Sequence, residues 1–402
     1  FLVANGAKVR LSDRAAGDLV EKRLSLDVGE VEGRFGEEGE ALLDGIDLVV
    51  PSPGVPRTSV LLRAAAALGL GILAEIELAY RFLAAPLYAV TGTNGKSTTT
   101  ELLGEMLRRA GRRVFVGGNL GTPLVEATDL ELDAAVAEIS SFQLEWIETL
   151  RPVVGVFLNL TEDHLDRYDS LEEYGEAKAA LFRNQTAADW AVLSRDDPWV
   201  SDLRDRVRSR VVTFGRSHDE AGAFPDDGAI VVRLPRGSVG GERERRFSLA
   251  RCRLAGVHNL ENAMAAATAA LLAGAPPEAI QGAIDEFPGL PHRLELVAVK
   301  RGVRWIDDSK GTNVGAVLRS LESVEAPVIL LAGGVGKGGS YEPLRPLVRA
   351  RVTRLVLYGD AAGEIARALG SETETVRAGS FEDAVRFAAK AARPGHTVLL
   401  SP

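Results

Sequence analysis

Between Leu87 and Gly111 the chain reads LYAVTGTNGKSTTTELLGEMLRRAG. Lys96 supplies a mobile positive charge suited to terminal phosphates, and Ser97 or Thr98 offers a hydroxyl to Mg²⁺. Gly92, Thr93, Asn94 and Gly95, just before them, can turn free backbone N–H groups toward one point at a helix N-terminus. The usual phosphate loop has a glycine five residues before Gly95, where this chain has Val90, so the loop is a shortened variant hinged at Gly92 and Gly95. Types and spacing together predict a nucleoside triphosphate site.

Other stretches could share that chemistry. Glu138 ends the apolar run DAAVAE, where a carboxylate can reach Mg²⁺ held by the loop. Asp163 and His164 follow the run PVVGVFLNL and arrive at the same sheet edge. Lys178, in SLEEYGEAKAALFRN, reads on its own as a solvated helix lysine. Asn259 and Asn262 stand three apart on one helical face. The turn IDDSKGTN crowds Asp308, Ser309, Lys310 and Thr312 around Gly311, and GGVGKGG adds Lys337 on a second glycine loop. Both lysines would balance an anionic substrate and a migrating phosphate. Asp13, Arg14 and the turn Ser52, Pro53 and Gly54 lie at strand exits, where ligands of parallel sheets bind.

The elements positioning these residues alternate in a way that predicts α/β architecture in three domains. Leu87 to Val90 reads as a buried strand, and Leu102, Leu103, Met106 and Leu107 recur at helical spacing until Gly111. Residues 1–85 form a Rossmann-like first domain, in which FLVANGA reads as a helix ending near Gly6. Residues 86–290 form the central P-loop domain on a parallel sheet, with a β-rich flap over residues 210–255. Residues 291–402 form a second Rossmann-like domain. Both outer domains read as incomplete, since the chain starts within a helix and stops just after a strand.

Composition narrows the partners. A net charge of −9 over 402 residues argues against nucleic acid. One cysteine, Cys252, excludes an internal disulfide framework and fits a reducing, cytoplasmic compartment. The most apolar region, residues 60–90, carries Arg63, Glu75, Glu77 and Arg81, so no membrane span is expected.

The motifs GTNGKST, EISSFQLE, NLTEDHLDRY, YGEAKAALF, GVHNLENAMAA, LPHRLE and DDSKGTN, in this order, resemble those of the Mur ligases, along the whole chain. EISSFQLE, TEDHLDRY and LPHRLE are similar to the members that add D-glutamate. The resemblance implies a monomer that joins D-glutamate to UDP-N-acetylmuramoyl-L-alanine, using ATP and two Mg²⁺ ions, through an acyl phosphate and a tetrahedral intermediate. It implies that Lys96, Ser97 and Thr98 hold ATP phosphates and the first metal, with Glu138 sharing it. His164 and Lys178, the lysine as a carbamate, would serve the second metal. Asn259 and Asn262 resemble adenine-side residues, and Arg293 and Asp308 also fall on the nucleotide side, with Lys310 among the catalytic residues. Asn119, Asp13, Arg14 and the Ser52–Gly54 turn resemble the UDP-substrate side; Ser309, Thr312 and Lys337 resemble the acceptor side. The family pattern has a glycine loop before the residue corresponding to Phe1 and a serine- and phenylalanine-bearing tail after LLSP, and an aspartate where this chain has Val335. Without that loop and tail, the stretch 1–402 is expected to bind ATP and ligate poorly. A ligase for another amino acid, a folylpolyglutamate synthetase and a nucleotide switch are the competing readings. A second anion site at Lys310 and Lys337 argues against the switch.

Overall fold

The computed structural model describes residues 1–15, 31–218, 221–235, 244–254, 256–336 and 339–402. A strand that is apolar on both faces needs cover on both, and Leu87–Thr91 is buried at every position. It lies inside a nine-stranded sheet. From one edge the order is Glu244–Ser248, Ala229–Arg233, Gly222–Asp226, Arg210–Phe214, Trp190–Ser194, Val154–Phe157, Leu87–Thr91, Ala134–Glu138 and Val114–Gly118. All neighbours are parallel except the two pairs at the Glu244–Ser248 edge.

That order corrects the expected flap. Val212, Phe214, Ala223, Ile230, Val232 and Phe247 share one buried cluster with Val90, Leu103 and Met264. Covering those side chains requires the strands to continue the main sheet, and a separate flap would leave them wet. The helix Lys96–Arg109 buries Leu102, Leu103, Met106 and Leu107 on this face, as their spacing predicts. Beside it the helix Val257–Leu272 presents Ala263, Ala266, Ala267 and Ala270, whose small side chains permit close approach. Ala89, Phe157, Leu160, Tyr174 and Phe182 pack on the opposite face.

The C-terminal part carries a six-stranded sheet ordered Glu295–Lys300, Val303–Asp307, Thr397–Leu400, Val328–Gly333, Val352–Tyr358 and Glu374–Arg377. Only the first pair is antiparallel. Leu330, Leu355 and Leu399 pack on one side and Ile329, Val356 and Val398 on the other, so helices cover both faces. The first eighty-odd residues hold two separate parallel pairs among the described residues, Val9–Asp13 with Val31–Phe35 and Leu48–Val49 with Gly71–Ile72. The expected first helix is a set of hydrogen-bonded turns over residues 2–6, because Gly6 takes a φ of 82° and stops the run. No described helix is long and apolar enough to cross a membrane.

One buried carboxylate ties the segment before the phosphate loop to residues 148–150, which lead into the strand Val154–Phe157. Glu77, in the helix Glu75–Phe82, accepts from the N–H groups of Glu148, Thr149 and Leu150 at 3.0, 2.9 and 2.8 Å. The Thr149 hydroxyl at 2.6 Å and Arg81 Nε at 3.0 Å complete its set. Burial pushes its pKa up, but these donors, the Thr149 hydroxyl first, outweigh it and leave the group below the usual carboxylate value. A depressed folded-state pKa means stability that is present above the unfolded-state value of about 4.3 and lost as pH falls through the folded-state value. Glu77→Gln turns an amide toward these donors, so it is expected to cost about 1–3 kcal/mol at neutral pH. Chemical denaturation at a series of pH values checks this: the variant should also lose part of the acid-side decline seen in the parent.

Candidate active site

The phosphate loop is held by side chains as much as by its own backbone. Gly95 precedes the helix Lys96–Arg109 at a φ of 87°, a left-handed conformation that suits glycine. A β-carbon there would lie 2.2 Å from Asn262 Oδ1, so Asn262, bonded to Asn259 at 3.3 Å, packs directly on the loop. Asn159, just after the strand Val154–Phe157, clasps the loop from the other side. Its Oδ1 accepts from the Asn94 N–H at 2.9 Å, its Nδ2 donates to Asn94 O at 3.0 Å, and its carbonyl accepts from the Thr93 N–H at 2.8 Å. Asn159 was missed in the sequence reading, although it sits in the NLTEDHLDRY motif.

Two lysines meet at this loop. Lys96 Nζ donates to Gly92 O at 3.0 Å and to Thr93 O at 2.9 Å. Lys178 Nζ donates to the same Gly92 carbonyl at 2.9 Å. The expectation of a solvated Lys178 is overturned: the residue is 1 % exposed. The helix Leu171–Ala179, capped by Ser170, buries Tyr174, Gly175 and Lys178, which share one face at i, i+1 and i+4 spacing. Lys178 Nζ lies 4.4 Å from the Tyr174 ring centroid. Burial, and then the Lys96 charge, hold its pKa well below the ordinary lysine value, against the opposing pull of Asp163 and Glu138.

The acidic groups come from neighbouring strands. Leu87–Thr91 lies between Ala134–Glu138 and Val154–Phe157, so the carboxyl ends of all three converge. Glu138 is buried; its Oε1 accepts from Asn119 Nδ2 at 2.8 Å, and its Oε2 has no hydrogen-bond donor among the described residues. Asn119, expected on the substrate side, is thus engaged with Glu138. His164 takes a φ of 56°, and its ring meets that of Phe142 in a T-shaped contact with centroids 4.7 Å apart. Its Nε2 is 3.6 Å from Asp163 Oδ2.

The C-terminal part reaches this edge. Arg293 Nη2 donates to Ser97 Oγ at 3.0 Å. Asn313 caps the helix Val314–Ser323 through Ala316 N and donates from Nδ2 to Asp163 Oδ2 at 3.1 Å and to Asn94 Oδ1 at 3.2 Å. Asn313 ends the DDSKGTN motif, in which the sequence alone assigns it no role. Asp308, expected on the nucleotide side, turns inward instead and is buried. It accepts from Ser320 Oγ at 2.6 Å, Ser401 Oγ at 3.0 Å and the Leu294 N–H at 3.2 Å, and burial raises its pKa. Ser309 N–H bonds Asp307, while Lys310 and Thr312 are exposed on the same turn. Lys337 lies outside the described residues.

The remaining candidates lie apart from the loop. Asp13 accepts from the Ala15 N–H at 2.8 Å and Arg14 sits 3.6 Å from Glu38. Ser52, Pro53 and Gly54 form an exposed turn closed by Val55 N–H to Ser52 O at 2.9 Å. Beside Asn259, a mostly apolar cavity of about 260 Å³ is lined by Leu249, Cys252, Leu254 and Leu260.

Comparison with known proteins now decides the family. The Mur ligase middle domain profile matches residues 90–270, and the Mur ligase, glutamate ligase domain profile matches residues 292–402. The UDP-N-acetylmuramoylalanine–D-glutamate ligase of Geobacter metallireducens is 47 % identical over 410 residues, covering 100 % of this chain and 88 % of its own length. The chain belongs to the Mur ligase family. The protein of that same name from Pelobacter propionicus is 46 % identical, covering 100 % of this chain and 90 % of its own. Among solved structures, a pseudomurein peptide ligase type C from Methanothermus fervidus shares the fold with a TM-score of 0.64 at 19 % identity, over 99 % of this chain and 92 % of its own. MurF ligase from Thermotoga maritima, solved in complex with ADP, does so with a TM-score of 0.65 at 19 % identity, over 88 % of this chain and 90 % of its own.

The contact at Gly95 makes a direct check on this Mur ligase loop. Gly95→Ala places a methyl group 2.2 Å from Asn262 Oδ1 at a φ of 87°. ATP affinity measured by calorimetry should fall at least about tenfold, the scale of a small misplacement in a positioned site, while the melting profile stays cooperative.

Proposed function

We propose that this protein is an ATP-dependent ligase that joins D-glutamate to UDP-N-acetylmuramoyl-L-alanine in peptidoglycan precursor synthesis, acting as a cytoplasmic monomer. The observation that carries this reading is whole-chain identity of 44–47 % to relatives that bear that activity in their names. In the reaction, a carboxylate oxygen of the UDP-linked substrate attacks the γ-phosphorus of ATP, releasing ADP and leaving an acyl phosphate. The amine of D-glutamate adds to the carbonyl carbon, and the tetrahedral intermediate expels phosphate as the amine loses its proton.

Residues 1–85 take the UDP substrate, 86–290 the nucleotide and 291–402 the amino acid. Gly92 to Thr98 cradle the ATP phosphates, with Lys96 balancing their charge. Asn259, Asn262 and Arg293 lie on the nucleotide side. Asp13, Arg14, the Ser52–Gly54 turn and Asn119 serve the UDP substrate, Ser309, Thr312 and Lys337 serve the acceptor side, and Lys310 acts as a catalytic residue on the nucleotide side.

The donor set fits magnesium: Glu138 Oε2 is a buried carboxylate oxygen with no hydrogen-bond donor among the described residues, at the end of the strand that pairs with Leu87–Thr91, the strand leading into the loop. Ser97 and Glu138 would hold one ion, and His164 with Lys178 a second. The ions supply charge neutralisation between reacting anions. A lysine ammonium is a donor without a lone pair, so Lys178 enters that set as a carbamate. Its neutral amine attacks CO₂, a C–N bond forms, a C=O electron pair moves to oxygen, and one proton leaves. Burial against Tyr174 and proximity to Lys96 favour the neutral amine that this step needs.

Phosphate release should require the UDP-muramoyl substrate together with D-glutamate, and not L-glutamate, L-lysine or diaminopimelate. Turnover with one of those amino acids in place of D-glutamate would falsify the substrate assignment. Lys178→Ala should lose at least about a hundredfold in turnover, and acetate should recover part of it by supplying the missing oxygen ligand. Unchanged turnover in CO₂-depleted buffer and no acetate effect would return Lys178 to a role in packing.

A further inference from the structure

EISSFQLE and NLTEDHLDRY contain more than the phosphate site uses. Their last residues, Glu145, Arg167 and Tyr168, form a buried cluster; the Glu145 and Arg167 side chains are 1 % and 10 % exposed. Arg167 donates from Nε to Glu145 Oε1 at 3.1 Å and from Nη2 to Oε2 at 2.7 Å, a two-pronged grip. The Tyr168 hydroxyl donates to Glu145 Oε1 at 2.7 Å and fixes the carboxylate from behind. Arg167 also reaches the first part of the chain: Nη1 donates to Pro53 O at 2.8 Å and Nη2 to Val55 O at 3.3 Å. Those carbonyls lie in the Ser52–Gly54 turn and at Val55, the residue that closes it.

The same guanidinium reports back to the catalytic edge. Its Cζ stacks 4.0 Å from the Phe142 ring centroid, and Phe142 in turn packs edge-on against His164 at 4.7 Å. The Arg167 N–H donates to the His164 carbonyl at 2.9 Å, so the two residues share one turn of backbone. A planar guanidinium can grip a carboxylate with one edge and two carbonyls with its other N–H groups, while an ammonium has neither the plane nor the reach.

We propose that Arg167 is a positioning residue, which sets the Ser52–Gly54 turn at a fixed distance from His164 and thereby places the UDP-linked substrate against the phosphate loop. The proposal rests on the reading that this turn serves the UDP substrate. The phosphate loop is clasped by Asn159, whereas Arg167 bonds the Ser52–Gly54 turn directly, so the larger effect falls on the UDP-linked substrate.

The experiment uses the full chain and compares the parent with Arg167→Lys and Glu145→Gln. Arg167→Lys keeps the charge opposite Glu145 and loses the fork; Glu145→Gln keeps the shape and weakens it. The KM for UDP-N-acetylmuramoyl-L-alanine should rise about tenfold or more in Arg167→Lys and by less in Glu145→Gln, with the KM for ATP within about twofold and a cooperative melting transition retained in both. An equal rise in both KM values assigns Arg167 to general packing and overturns the proposal, as does an unchanged KM for the UDP substrate. Should Arg167→Lys fail to fold, Glu145→Gln carries the same comparison. Calorimetric binding of the UDP substrate separates this inference from the ligase reading. A parent that binds it without D-glutamate-dependent turnover sinks the ligase reading alone, whereas equal affinities in parent and variants sink this one.

Discussion

Two lysine side chains converge on one carbonyl oxygen, that of Gly92, and much of the site follows from making that tolerable. Like charges at such range repel strongly once water is excluded, so one of the two must yield its proton or find an anion. The fold arranges both responses around Lys178. The helix Leu171–Ala179 drives it under Tyr174, where burial favours the neutral amine, and the strand ends bring Asp163 and Glu138 close enough to pull the other way. Gly175 makes the approach possible, since a β-carbon there would lie 2.5 Å from the Trp199 ring.

The sheet order turns this local problem into a site. Residues distant in sequence, Glu138, Asp163 and the loop at Gly92, become neighbours because their strands are adjacent and parallel. The C-terminal part then adds contacts of its own through Arg293 to Ser97 and Asn313 to Asn94 and Asp163. Asn313 also caps a helix, so the residue that touches the loop is fixed by the start of a regular element. A contact between loop and C-terminal part built from polar side chains depends on distance far more steeply than an apolar one.

What could be read in the sequence was whatever has a local signature. The strand, glycine turn and helix around Lys96 depend on neighbouring residues, and the structure has them where the pattern puts them. Glu138 was visible because an apolar run ends there. The fate of Lys178 was not, because the helix carrying it has a mixed pattern and its burial is decided by Tyr174, Trp199 and a loop more than eighty residues upstream. Asp308 misled for the related reason that Ser320 and Ser401, the partners that draw it inward, are remote in sequence. The segment 210–255 was read as a flap because its strands are short and turn-rich; only the shared core with Val90 and Met264 shows that they extend the sheet. Seven motifs in one order identified the family sooner than periodicity could place their residues.

The clasp of Asn159 around the phosphate loop has a thermodynamic consequence. Its three hydrogen bonds to Thr93 and Asn94, two from the side chain and one at its carbonyl, order the loop through the protein itself. Nucleotide association is then docking onto a finished surface, with little polypeptide left to fold at the moment of encounter. The heat-capacity change of that step reports the surface buried by the ligand itself, and the encounter rate is free of a search through loop conformers.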